Sequence, residues 1–225
     1  MKRSRINEIL REGDAFIRSF GYVMPPFAYL TPGDLKASEH QEIKARGMGW
    51  DITDYGAGKF DEMGLFLFTV RNGLNHDLGK KSAMLYAEKI MISRQDQLSP
   101  NHRHDVKVED IINRGGGTLV IELFAADAEK NIDRKSDVTV MVDGTWHTLP
   151  AGGHLKLAPG ESVTLLPHHW HAFWGEGGDV LIGEVSTVND DHTDNIFEMD
   201  IGRFSTIDED EAPQHLLVSD YNAYL

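Results

Sequence analysis

The sequence predicts an all-β domain, a barrel or sandwich, with helices attached at its N-terminal end. Three observations carry this. Between residues 64 and 185 the chain breaks into short β-branched and aromatic runs, each bounded by Gly, Pro, Asn or Asp, which is the pattern of a sandwich or barrel. No helical period alternates with those runs, which argues against a parallel α/β sheet. Ahead of them, Ile6, Ile9, Leu10, Phe16, Ile17 and Phe20 recur at the spacings of one helix face.

Taken in order, the first helix is expected to start with Ser4 as its cap and to leave at Gly21. Its apolar face must pack on the main domain. Thr31-Pro32-Gly33-Asp34 opens a shorter helix, with Thr31 as cap and Pro32 in the first position. Gly47 to Gly58 reads as a Gly-rich loop. The strands expected are Leu65–Val70, Met84–Ile92, Val106–Ile112, Thr118–Phe124, Val138–Val142, Trp146–Leu149, His154–Leu157, Ser162–Leu166 and Val180–Val185. Turns fall at Asn72-Gly73, Gly115-Gly116-Gly117, Asp143-Gly144, Gly152-Gly153, Pro159-Gly160 and Gly175–Gly178. No linker or repeat calls for a second domain. The expected organisation is one domain over 1–225: a helical extension at 1–63, a barrel at 64–186, and an acidic segment at 187–225 that packs on it.

The chain has 225 residues, no cysteine and a formal charge of −14. That acidity argues against nucleic acid and anionic membranes as partners, since both require clustered positive charge. Without cysteine there is no disulfide, no thiol nucleophile and no Cys zinc site. No run is apolar and long enough to span a bilayer, and charged residues interrupt the first hydrophobic stretch, so no secretory signal is expected. The expected location is cytoplasmic. Residues 190–220 hold ten acids against Arg203 alone. The repeat Asp208-Glu209-Asp210-Glu211 reads as solvated surface, while Ile196, Phe197, Phe204, Leu216 and Leu217 anchor parts of the tail.

Eleven histidines are present, and their placement is informative. His102 and His104 stand two apart, which puts both side chains on one face of a strand. Glu109 follows, and Pro167-His168-His169-Trp170-His171 comes after a later strand. A lone His-x-His pair is commonly chance; an all-β setting, a following acid and a further histidine raise its significance. Imidazole with carboxylate suits a borderline divalent ion such as Mn, Fe, Ni or Zn.

The stretch His102-x-His104-x4-Glu109-x6-Gly116 resembles the first motif of the cupin superfamily, and Pro159-Gly160 through His171 resembles the second. The resemblance implies a cupin jelly-roll barrel with an N-terminal helical extension, holding a metal on His102, His104, Glu109 and His171. His168 and His169 then sit at the rim. Within that superfamily the chain is similar to the cupin-type D-lyxose isomerases. The phrases that carry this are Tyr86-Ala87-Glu88-Lys89, Lys107-x-Glu109-Asp110-Ile111-Ile112-Asn113-Arg114-Gly115-Gly116-Gly117, Trp170-His171-Ala172-Phe173-Trp174, Glu184 through Asp191, and Gly202-Arg203-Phe204. The resemblance implies interconversion of D-lyxose with D-xylulose and of D-mannose with D-fructose. Mn2+ is the expected cofactor, with Zn2+, Fe2+ or Co2+ as substitutes.

Aldose–ketose isomerisation moves a proton between adjacent carbons of a weak carbon acid, so a Lewis acid on the oxygens and a carboxylate beside the carbon are both needed. On a strand, Lys107 shares a face with Glu109 and is expected to bond a sugar oxygen. Glu109 itself is one candidate base. Glu198 and Arg203 are expected to close over the site from the tail, with Glu184 and Asp190 behind them as candidates. At least two of Trp170, Phe173 and Trp174 are expected in the core. The alternatives are a cupin dioxygenase, a non-catalytic sugar-binding cupin and a sugar-phosphate isomerase. The scarcity of Arg and Lys near the motif disfavours the last. The expected partner is a small neutral sugar, and the expected assembly is a homodimer, which would hide sheet edges.

Overall fold

The computed structural model describes residues 1–225, the side chain of Ser38 excepted. Helix α1 (Arg3–Ser19) forms as its periodicity dictates and stops where Gly21, at φ +75°, donates its N–H to the Arg18 carbonyl. Ser4 is not the cap. Its N–H and hydroxyl donate to the Asp210 carboxylate at 2.9 and 2.7 Å. Arg3 is fully buried and grips Glu209 and Asp220 through a two-sided fork at 2.7–2.9 Å, and Asn7 donates to Glu211 at 2.6 Å. The acidic run 208–211 is therefore not simply solvated surface. It supplies the anionic cap that the free N–H groups and positive dipole end of α1 require.

Helix α2 (Pro32–Leu35) opens on the expected cap, with Thr31 and Asp34 in a reciprocal box. Helix α3 (Gln41–Ala45) follows. The Gly-rich stretch then contains a strand, β1 (Gly49–Thr53), all five residues of which are buried. It is too short to display an alternation, and it forms by pairing along β2 (Leu65–Asn72).

The remaining strands are β3 (Tyr86–Ser93), β4 (Ser99–Arg103), β5 (Glu109–Ala126), β6 (Ile132–Asp133), β7 (Val138–Val142), β8 (Thr145–Leu149), β9 (Gly153–Leu157), β10 (Ser162–Leu165), β11 (Trp170–Thr187) and β12 (Ile196–Phe197); α4 (Tyr221–Tyr224) closes the chain. Val106–Ile112 and Thr118–Phe124, read as separate strands, merge into the 18-residue β5. Val180–Val185 is only the end of β11, also 18 residues long. The glycine clusters at 115–117 and 175–178 are not turns but facing irregularities in the β5–β11 ladder, where the register slips between Glu176 and Val180. The backbones approach so closely there that a Cβ on Gly116 (φ +97°) would lie 2.1 Å from the Asp179 carbonyl oxygen.

Those irregularities let β5 and β11 serve two layers. Their halves nearest Glu109 and Thr187 join the sheet β1-β2-β3-β11-β5-β10-β7-β8. Their other halves pair with β9 and β4, and β4 with β12. The result is the expected jelly-roll barrel. Leu67, Met91, Ile111, Ile121, Val163 and Ile182 fill its interior. On the opposite faces of β2 and β3, Phe66, Phe68, Ile90 and Ile92 meet Ile6, Ile9, Leu10 and Ile17 of α1. Burying each of these isoleucines contributes roughly 1.5–3 kcal/mol. Because β2 and β3 are buried on both sides, a charged residue in the inward phase of either is conspicuous. No helix among the described residues is long and apolar enough to cross a membrane.

Candidate active site

His102 lies on β4 directly opposite His171 on β11, and His104 follows one residue after β4 ends. All three imidazoles are turned together, with one ring nitrogen of each within 4.8 Å of the others. Every Nδ1 faces a backbone carbonyl: Pro100 for His102 at 2.9 Å, His169 for His171 at 3.2 Å, and Asp194 for His104. A carbonyl only accepts, so each Nδ1 carries the proton and each Nε2 presents a lone pair inward. Burial and the neighbouring histidines push His102 well below the ordinary imidazole range. Burial and the Lys107 ammonium push His104 down. These two rings are held neutral, as metal ligands must be.

Glu109 Oε1 stands 3.3 Å from Nε2 of both His104 and His171. With His104 neutral, its lone pair faces that of Glu109, and both Glu109 Oε1 and His104 Nε2 are buried without a hydrogen-bond partner. Such an arrangement is costly unless a cation sits between the donors. The set fits a divalent metal ion.

From Glu109 a chain of alternating charges runs across the cavity. Lys107 Nζ lies 2.6 Å from Glu109 and 3.2 Å from Glu184. Lys89 Nζ lies 3.5 Å from Glu184, 3.7 Å from Asp191 and 2.6 Å from the Asn189 side-chain oxygen. Arg203 lies 3.3 Å from Asp191 and 2.8 Å from Asp51. Burial alone would raise the Glu109 carboxyl, but Lys107 and the imidazoles hold it well below the carboxylate range. Asp191 is likewise held far down against burial by Arg203 and Lys89. Lys107 and Arg203 are raised, their carboxylate neighbours outweighing desolvation. Asp51 is the exception. Burial raises it, and Arg203 only partly offsets this.

Lys89, His102, Lys107, Glu109, His171, Glu184, Asp191 and Arg203 line a narrow cavity, walled on its apolar side by Leu67, Met91, Phe173 and Phe197. Of the residues singled out from sequence, His102, Lys107, Glu109, His171 and Arg203 line it, and His104 stands behind them against Glu109. Glu198 does not: it is exposed, pairs with Arg134, and lies outside the lining. Asp190 also stays out, its carboxylate accepting from the His192 and Thr193 N–H groups. His168 reaches Asp105 at 3.1 Å, and His169 accepts from the Leu166 N–H, so neither enters the lining.

Lys89, Asp51 and Asp191 were not singled out by sequence reasoning, and Glu184 was ranked low. Lys89 sits between Ala87 and Met91, and Glu184 between Ile182 and Ser186, on the inward phase of otherwise apolar strands. That phase was a usable signal. Asp191 is one acid among many, and Asp51 lies on the strand that was read as a loop.

The profile of the D-lyxose isomerase family matches residues 1–221. A D-lyxose/D-mannose isomerase of Serratia proteamaculans is 47% identical, and one of Escherichia coli O157:H7 is 45% identical, each covering 100% of both chains. Among solved structures, an L-ribose isomerase variant of Acinetobacter sp. DL28 in complex with L-ribose aligns over 92% of this chain and 98% of its own, at TM-score 0.63 and 17% identity, a likeness of fold. With the profile and these relatives spanning the chain, it belongs to the D-lyxose isomerase family and is an aldose–ketose sugar isomerase.

Proposed function

We propose that the protein interconverts D-lyxose with D-xylulose, and D-mannose with D-fructose, through an enediol. The observation that supports this most is the juxtaposition of a three-imidazole, one-carboxylate donor set with buried Glu184 and Lys107 in one cavity. D-Lyxose and D-mannose share configuration from C2 to C4, so a site that reads those carbons accepts both. The relatives named for both sugars agree with this reading.

His102, His104, His171 and Glu109 are assigned as ligands of a divalent ion, Mn2+ in the native enzyme. When bound, that ion supplies Lewis acidity to the adjacent sugar oxygens and lowers the cost of the enediolate. Glu184 is assigned the carbon-bound proton, taking it from C2 of the aldose and returning it to C1, while the O2 hydroxyl proton passes to O1 so that the carbonyl ends on C2. Two lysines flank its carboxylate and orient it. Lys107 donates to the oxygen on which negative charge develops, a contact that strengthens as the reaction proceeds. Arg203, fixed between Asp51 and Asp191, holds distal hydroxyls together with Lys89. Glu109 is a ligand and not the base, because its two oxygens are committed to the imidazole cluster and to Lys107. Glu198 is left without a catalytic role.

The same proposal treats residues 1–225 as one working unit, since Asp51 precedes the segment 64–186 and Asp191 and Arg203 follow it. It places the enzyme in the cytoplasm as a homodimer, with no nucleic-acid or membrane partner. Metal analysis with a ketose colour assay on unphosphorylated pentoses and hexoses tests the function. Ketose formed from D-lyxose and D-mannose by metal-loaded protein is the expected result. Oxygen consumption without ketose would favour a dioxygenase instead.

A further inference from the structure

Asp194 is 8% exposed, lies in the acidic tail and does not line the cavity, yet it gathers an unusual number of hydrogen bonds at one point. Its Oδ1 accepts from the N–H of Asp105 at 2.7 Å and of Val106 at 3.1 Å, and its Oδ2 accepts from the N–H of Lys107 at 2.9 Å. Its own carbonyl accepts from His104 Nδ1. Three successive amides converging on one carboxylate form an anion nest. The clamped segment, 105–107, connects β4 to β5 and carries Lys107, with His104 at its start.

Asp194 is itself held. Its N–H donates to the Asp190 carbonyl at 3.1 Å, and the Asp190 side chain ties down the His192 and Thr193 amides and the Thr193 hydroxyl. The turn 190–194 therefore fastens the loop that bears one imidazole and the ammonium beside Glu109. Without the carboxylate, three buried or half-buried N–H groups would lose their acceptor, and the loop would have no other side chain fixing its backbone at those amides.

We infer that Asp194 is a positioning residue that sets the geometry of His104 and Lys107, and through His104 the affinity for the divalent ion. This rests on the metal site proposed above. Groups that orient metal-bound histidines typically change metal affinity or activity about 10–100-fold when removed. Asp194→Ala releases all three amides, so its affinity is expected to fall by about that factor. Asp194→Asn keeps one carbonyl oxygen as acceptor and turns an NH2 toward a backbone N–H, so a loss smaller than that of Asp194→Ala is expected.

The test titrates metal-free full-length protein with Co2+ against a competing chelator and records the visible spectrum, which reports coordination independently of turnover. Wild type and His104→Ala are run alongside. A weakened Kd with altered Co2+ bands in both Asp194 variants supports the inference. A Kd within twofold of wild type in either folded variant, with unaltered bands, overturns it, even where the melting temperature has dropped. Should Asp194→Ala not fold, Asp194→Asn decides by the same criterion. Failure of wild type to bind Co2+, or equal binding by His104→Ala, would instead sink the metal site itself.

Discussion

Replacing Glu184 with Gln tests the proton-transfer assignment most directly. The side chain is 4% exposed and its Oε1 lies 3.2 Å from Lys107 and 3.5 Å from Lys89. Gln preserves the shape and one acceptor oxygen but cannot take a proton from carbon. A positioned acid–base group contributes about 10²–10⁴-fold, or roughly 3–5 kcal/mol of barrier, so kcat should fall by that factor. Metal content should not change, because Glu184 is not part of the imidazole cluster. The folded state should suffer moderately. Each lysine keeps another carboxylate, Glu109 for Lys107 and Asp191 for Lys89, so the loss is nearer one charged hydrogen bond, about 1.5–3 kcal/mol, than a stranded charge. For a chain of this size each kcal/mol moves Tm by about 2–4 °C.

The assay measures ketose formation from D-lyxose at saturating sugar, with Mn2+ content and Tm on the same preparations. Running the wild-type reaction in D2O adds an independent reading. An enediol protonated by a carboxylate that exchanges with solvent leaves deuterium at C1 of the ketose product, whereas a hydride shift keeps the original hydrogen. A Glu184→Gln enzyme with kcat within threefold of wild type would refute the assignment. Complete retention of substrate hydrogen across several temperatures would refute the enediol route, whichever carboxylate is involved. Partial exchange is expected where a shielded carboxylate returns its own proton before water reaches it.

Three further outcomes follow from the geometry. EDTA should abolish activity and Mn2+ should restore it best, while His102→Ala and His171→Ala should lose the ion; full occupancy in both variants would dismiss the ligand assignment. Lys107→Ala should lower kcat by about 10²-fold or more, as for removal of one oxyanion-stabilising donor, with metal retained, and wild-type kinetics would take Lys107 out of the site. The metal-free protein should lose stability as pH falls from 6.5: His102 and His104 are depressed in the fold, so the unfolded chain takes up protons first, at a cost of about 1.4 kcal/mol per pH unit for each ring. That stability is fully present above the unfolded imidazole range, and calorimetry showing equal Tm at pH 7 and pH 5.5 would contradict it.

Strand phase and turn chemistry made much of the fold legible. The helix face at 6–17 and the edges of β7, β8 and β9 follow from local pattern alone. The errors have a common cause. Glycine clusters at 115–117 and 175–178 look like turns locally, but opposite one another in two long strands they become the bends of a barrel, and only the pairing reveals that. β1 was invisible because five residues buried on both sides show no alternation. The convergence of His102, His104 and His171 was readable because metal binding demands particular side chains at particular spacings. The second half of the site was harder. Lys89 and Glu184 break the apolar phase of buried strands, but Asp51 and Asp191 are ordinary acids until distant segments place Arg203 between them. Glu198 is the converse case, an acid in the tail whose backbone runs near the barrel mouth while its side chain turns out to Arg134.

The charge balance of the cavity bears on why such a site favours this reaction. Four carboxylates (Asp51, Asp191, Glu184 and Glu109) alternate with three cations (Arg203, Lys89 and Lys107). With all of them ionised the array carries one net negative charge, located at the end where Glu109 Oε1 faces the imidazoles. A divalent ion held there, as proposed, would bring the array to one net positive charge. The sugar enters neutral, so this charge does little for the ground state. On the proposed enediol route the intermediate is an anion, and Lys107 would face the oxygen that carries its charge. A fixed positive excess in a site largely shielded from water stabilises that anion selectively. The lysines are therefore not simply neutralising their neighbours. Each is shared between two carboxylates, which fixes it in place.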